Sequence, residues 1–185
     1  LIRHKKYAIQ EGAINIENIQ NILNNIQVVE EPKLPFPQAD SFERVINLCE
    51  LLKQKGFISK NDITQNYDFD YRQTNYYSSA ARYLGLIKDV YENRQTGCSL
   101  TQEGFRIFNL PIVERQLEFV KLILTHTVFQ NTLNLYFEKG DAPTKDEVVE
   151  IMKEAQLYNI DSEQTYRRRA STIISWINWI LGLIE

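Results

Sequence analysis

The stretch from Asp70 to Ile87, DYRQTNYYSSAARYLGLI, constrains the fold more than any other. At 3.6 residues per turn, Tyr77, Ala80, Ala81 and Leu84 share one apolar face, which predicts an amphipathic helix. Arg72, Asn75, Ser79 and Arg82 share the opposite face. Gly85 stops the helix, and Leu86-Ile87 opens a strand-like run. Small residues inward and Arg, Asn and Ser outward suit a helix that lies in a DNA major groove. A plain solvated helix surface has the same pattern, so the flanking sequence has to discriminate.

Upstream, Asp40 or Ser41 can N-cap a helix whose buried stripe is Phe42, Val45, Ile46, Cys49 and Leu52, widened by Leu48 and Leu51. Cys49 falls on that stripe and reads as a small core hydrophobe. Gly56 ends the helix, Phe57-Ile58 forms a short apolar link, and Ser59 caps a short helix through Asn61, Asp62, Ile63 and Tyr67. Asp68-Phe69-Asp70 is the turn into the central helix. Downstream, Lys88-Asp89-Val90-Tyr91, the polar loop Glu92–Gly97 and Cys98-Ser99-Leu100 predict a β-hairpin. Thr101-Gln102-Glu103 then opens a helix carrying Phe105, Ile107 and Phe108. Three helices, a hairpin and a helix are the order of a winged helix-turn-helix, assigned here to residues 40–110.

Residues 1–39 read as an N-terminal appendage and linker. Tyr7, Ile9, Ile14 and Ile16 suggest a strand-like start, and Ile19, Ile22, Leu23 and Ile26 a short helix from Glu17 that runs out at Val28-Val29. Three of the five prolines fall between Glu30 and Asp40, which predicts an extended connector because proline fixes φ and removes a donor. Residues 111–185 read as a second helical, helix-turn-helix-like unit. Pro111 starts it, and Ile112, Leu117, Val120 and Leu124, then Val128, Leu133, Leu135 and Phe137, imply two helices with a break around His126. Thr144 and Glu147 form a capping box opening a helix to Ala155, and Asp161 or Ser162 caps the last and longest helix, ending at Gly182. Leu-Gly-Leu-Ile closes a long helix twice, at Leu84–Ile87 and Leu181–Ile184, each time after a capped short helix. The fold class expected is therefore mainly α: tandem winged helix-turn-helix units with a small β-hairpin wing.

The candidate DNA-reading residues follow from this order. Arg72, Gln73, Asn75, Tyr76 and Ser79 form the first face, since Arg can take guanine bidentately, Asn or Gln adenine, and Ser or Tyr phosphates. Gln164, Thr165, Arg167, Arg168, Ser171 and Ser175 form the second. Arg167, Arg168 and Arg169 point in different directions around a helix, so at most two face one ligand, and the third is expected to pair with an acid such as Glu163. On the wing, Arg94, with Lys88 and Gln95, is placed to touch phosphate or minor groove. Trp176 and Trp179, at i and i+3, read as core or interface residues.

Other chemistry finds little support. Formal net charge is −3 over 185 residues, which counts against a generic nucleic-acid coat but not against a reader whose positive charge is local. The acidic balance favours the alternative reading, a protein–protein interaction or dimerisation module. Cys49 and Cys98 are isolated and read as reduced thiols, the expectation for a cytoplasmic protein. No apolar run approaches the ~18 residues of a membrane span. His4 and His126 lack ligands at metal spacing, and there is no phosphate-cradling glycine loop or nucleophile motif. No catalytic residue, metal or cofactor is therefore assigned. Glu31-Pro32-Lys33 has the E-x-K form of metal-dependent nucleases but lies in the proline-rich connector, without an acid on a preceding strand. The chain opens with Leu rather than Met, as expected of a fragment or of one domain of a longer protein.

The runs PQADSFERVINLCELL, YRQTNYYSSAARYLGLI, LTQEGFRIF and RRRASTIISWINWI together resemble the winged-helix module of bacterial type II restriction endonucleases and related defence proteins. That resemblance covers residues 37–185. It implies sequence-specific recognition of double-stranded DNA on behalf of a nuclease domain elsewhere in the parent protein. The reading residues would then lie on Asp70–Arg82 and on the helix containing Arg167 and Arg168.

Overall fold

A computed structural model describes residues 14–66 and 70–184. They form nine helices and one three-stranded antiparallel sheet, so the protein is mainly helical. In chain order these are α1 (Ile16–Asn25), α2 (Phe42–Lys55), β1 (Phe57–Ser59), α3 (Lys60–Asn66), α4 (Tyr71–Tyr83), β2 (Ile87–Glu92), β3 (Gln95–Leu100), α5 (Gln102–Phe108), α6 (Ile112–Leu124), α7 (Thr127–Lys139), α8 (Lys145–Glu154) and α9 (Glu163–Gly182). None of these helices is long and apolar enough to cross a membrane.

Capping chemistry sets most helix starts. The Ser41 hydroxyl caps α2, the Asp70 carboxylate α4, the Thr101 hydroxyl α5, and Ser162 rather than Asp161 caps α9. Thr144 and Glu147 form the expected capping box on α8. A salt-bridged hydrogen bond from Lys139, then the hydrogen bonds from Thr144, hold the Glu147 carboxyl down to about 2. A carboxylate depressed on folding contributes stability above its ordinary value of 4.5, and loses it as pH falls towards about 2. The melting-temperature gap between the wild type and Glu147→Gln is therefore expected to narrow across that window. A gap independent of pH would show that the charge is irrelevant.

Several local expectations change once long-range partners are present. Ile14 is buried and Ile16 is the first residue of α1, so these two are not strand; Asn15 caps the helix with Asn18 in a reciprocal box. The helix ends at Asn25, short of Val28-Val29, both of which are exposed. Tyr7, Ile9 and His4, and the turn Tyr67–Phe69, lie outside the described residues. Phe57-Ile58, expected as a link, is strand β1, pairing antiparallel with β3 through Phe57–Ser99 and Ile58–Cys98. Sheet order is β1-β3-β2. The hairpin forms, but its loop is only Asn93-Arg94, both at positive φ, with Glu92 opposite Gln95. That is the two-residue turn whose twist matches paired strands. Gly97, expected in the loop, sits in β3, where a Cβ would overlap the Ile58 carbonyl oxygen and lie 2.6 Å from the Phe57 ring.

The buried face of α2 is Phe42, Val45, Leu48, Cys49 and Leu52; Ile46 is only half-buried. Burial pushes the thiol of Cys49 far up, and that of Cys98 up to about 11, so neither is a thiolate at neutral pH. One continuous core then runs from α2 through the later helices. Phe42 meets Phe119 of α6 edge-on at 5.8 Å and Trp176 of α9 at 5.1 Å, and Phe108 of α5 packs on Phe119 at 5.3 Å. Trp176 is fully buried, stacked on Phe129 of α7 at 5.2 Å. Trp176 is thus the core residue that its spacing suggested.

The connector is without regular structure, as its prolines require, yet it is built into the core. Phe36 meets Tyr83 edge-on and stacks on Phe129. Ala39 and Asp40 clamp α9: the Ala39 N–H donates to Thr172 Oγ1, Trp176 Nε1 donates to the Ala39 carbonyl at 2.8 Å, and Thr172 Oγ1 donates to Asp40 at 2.8 Å. These bonds seat α9 against α2 and fix where its arginines point.

Candidate nucleic-acid interface

Helix α4 carries the first candidate face, and its inner side explains its rigidity. Thr74, Tyr77, Ser78, Ala80 and Ala81 are buried, with Thr74 Oγ1 2.9 Å from Thr64 Oγ1 of α3 and the Tyr77 hydroxyl accepting from the Ser41 N–H. Small inward residues let α4 approach α2 and α3 closely. Outward, Arg72 is exposed and makes no ion pair or hydrogen bond among the described residues. Asn75 and Ser79 are half-exposed. Gln73 is engaged locally: its N–H donates to Asp70 at 2.7 Å, and its amide oxygen accepts from the Asp70 N–H. Arg82, grouped with this face by spacing, instead bonds Asp89 on β2 at 2.8 Å and ties the helix to the hairpin. Arg94 is at the exposed hairpin tip beside exposed Gln95, whereas exposed Lys88 lies near the base of the hairpin, opposite Ser99.

Helix α9 carries the second face, and its arginines divide differently from expectation. Arg167 pairs with Asp146 on α8, whereas Glu163, the acid anticipated for an arginine, holds Lys153 at 2.8 Å. Ser171 accepts from Lys145 at 2.9 Å, Ser175 donates to the Asp40 carbonyl, and Thr165 bonds Ser162 at 2.7 Å. These groups are therefore engaged in folding contacts. Gln164 and Arg168 are exposed, and Arg168 makes no ion pair among the described residues.

Arg169, not singled out from the sequence as a reading residue, is electrostatically linked to the first face. It is half-buried, with its Nε shut off from water and unbonded. Its electrostatic neighbours are Tyr76 of α4 and Arg168. Burial, aided by the like charge of Arg168 and opposed by Tyr76, lowers its pKa. The run of three arginines was legible; which one turns inward depends on how α9 docks. Exposed Tyr71 on α4 and Tyr91 on β2 add aromatic surface that the sequence pattern did not single out.

A second polar cluster lies beneath the connector. The Tyr83 hydroxyl donates to Glu31, whose other oxygen is 3.4 Å from Nδ1 of buried His126, and the His126 ring stacks on Tyr83 at 4.2 Å. Burial, then the Glu31 charge, push the Tyr83 phenol far above its usual range, so it stays protonated and donates. Glu31 of the E-x-K triplet is thus a structural partner for a histidine remote in sequence.

Residues 44–185 match the family described as a domain of unknown function, DUF7226. The chain belongs to that family. The DUF7226 region begins inside α2 and runs through the sheet to the end of α9, so α4, the hairpin and the arginine run all lie within it. Glu31 and the connector precede it. No curated protein and no solved structure matches the chain significantly.

Proposed function

We propose that the chain binds double-stranded DNA sequence-specifically, as the recognition domain of a type II restriction endonuclease in a bacterial cytoplasm. Two tandem winged helix-turn-helix-like units would do so, with α4 as the first recognition helix, β2–β3 as its wing and α9 as the second. The observation that carries this reading is the outward face of α4. Exposed Arg72, with no partner among the described residues, and half-exposed Asn75 and Ser79 sit on a helix packed from behind, within the order helix, strand, helix, helix, hairpin. Arg94 at the hairpin tip and exposed Arg168 on α9 supply further local positive charge on a chain of net charge −3. Local charge, not the sum, steers a duplex to one face.

The reading residues proposed are Arg72, Asn75, Tyr76, Ser79, Arg94, Gln164 and Arg168. Gln73, Arg167 and Ser171 have folding partners and would have to exchange them for DNA. Any nuclease chemistry belongs to another domain of the parent protein, and a second copy of the chain is a further candidate partner.

The test starts from a duplex selected out of a random pool. Arg72→Ala and Arg168→Ala are each expected to weaken binding, and to relax preference at different base positions. A lost bidentate base contact should cost about 1–3 kcal/mol on the matched site alone. Affinity unchanged in both variants, with melting intact, would favour the protein-interaction module instead. That second reading has its own observation, an apolar groove lined by Ile16, Tyr136, Phe137, Leu181 and Ile184.

A further inference from the structure

We infer that the half-buried Arg169 of α9 seats a phosphoryl oxyanion. The inference deepens the DNA-binding reading, which supplies the source of that anion, a backbone phosphate of the duplex. Among the described residues, three guanidinium groups have an Nε shut off from water and unbonded, those of Arg82, Arg115 and Arg169. Two of them are neutralised through their other nitrogens, Arg82 by Asp89 and Arg115 by Glu50. Arg169 has no hydrogen bond or ion pair among the described residues.

A half-buried cation without a counter-charge is costly, and proteins seldom keep one unless something outside compensates it. Three acids on or beside α9 are engaged elsewhere. Asp146 holds Arg167, Glu163 holds Lys153, and the Asp40 carboxylate accepts from Thr172. The electrostatic neighbours of Arg169 are a second arginine, which raises the cost further, and the phenol of Tyr76, with which it makes no hydrogen bond. On α4, Arg72 stands one turn before Tyr76 and Ser79 one turn after it, on the same stripe. Arg168, Arg169 and the Tyr76 hydroxyl thus supply cations and a donor, and no carboxylate of the described residues pairs with Arg169. That set suits a multivalent oxyanion, which guanidinium groups take by paired N–H bonds. It suits a base edge poorly, since the half-buried Arg169 cannot extend into a groove as an exposed arginine does.

The test uses the full chain with two probes, a duplex carrying the selected site and inorganic phosphate. Arg169→Ala is expected to weaken matched and mismatched duplexes by the same factor, on the order of tenfold, and to reduce the salt slope by about one. Arg169→Lys, which keeps the charge, should recover most of the slope. Because either variant can disturb packing, a second measurement uses the unaltered chain: modification of Arg169 by phenylglyoxal, read by mass spectrometry. Protection of Arg169 by duplex, beyond that given by phosphate, supports the inference. Protection by phosphate alone, with the duplex bound, overturns the backbone as the anion's source. Duplex binding with neither protection nor a change of slope overturns the anion seat while leaving the DNA reading intact. No duplex binding by the wild type overturns the DNA reading, and phosphate protection then still supports the seat itself.

Discussion

Trp176→Ala is expected to destabilise the fold by about 3–5 kcal/mol in chemical denaturation, the range for removing a large aromatic from a close-packed core. Trp176 is fully buried and touches three parts of the chain that are remote in sequence. It stacks on Phe129 of α7 at 5.2 Å, meets Phe42 of α2 edge-on at 5.1 Å, and donates from Nε1 to the Ala39 carbonyl at 2.8 Å. Truncation would open a cavity and leave the buried Ala39 carbonyl without its donor, two costs that add. Trp179→Ala is the useful comparison, since Trp179 is half-buried and should cost less. A loss below about 1 kcal/mol for Trp176→Ala would mean that α9 does not dock on α2 as described.

Gly104→Ala is expected to destabilise although it replaces glycine by the best helix former inside a helix. Propensity alone predicts a gain of about 1 kcal/mol. Space dictates the opposite sign: a Cβ on Gly104 would overlap the Leu86 carbonyl oxygen and stand 3.1 Å from its carbon. That carbonyl cannot swing aside, because it accepts from the Thr101 N–H at 3.0 Å and from the Thr101 hydroxyl at 3.2 Å. Forcing the overlap costs about 1–3 kcal/mol in ordinary overpacked sites, and more where backbone must move. Gly182→Ala is the control, since nothing lies within 4 Å of a Cβ there. Opposite signs for the two substitutions in thermal melts are the expected result. A gain at both positions would show that α5 does not pack against the Leu86 backbone.

The restriction-endonuclease reading rests on sequence resemblance and on the exposed chemistry of α4. The DUF7226 family adds no activity of its own to that reading. What the fold contributes is a sorting of residues. Arg72 and Arg168 are exposed without a partner among the described residues, Arg167, Ser171 and Ser175 are bound to neighbours, and Arg169 is half-buried.

The sequence by itself determined what depends on neighbours a few residues away. The stripes of α2 and α4, the caps at Asp70, Thr101 and Thr144, and the end of α4 at Gly85 (φ +76°) follow from local periodicity and backbone freedom. Only the tertiary structure decided whatever needs a partner far along the chain. Phe57-Ile58 looks like a link until β3 pairs with it, since three residues cannot form a ladder alone. Glu31 and His126 carry no joint signal because their contact exists only once the connector crosses α7. The arginine run shows the limit most clearly. Spacing around a helix distributes Arg167, Arg168 and Arg169 to different sides, but which side meets Asp146, water or Tyr76 is set by how α9 seats against α2, α4 and α8.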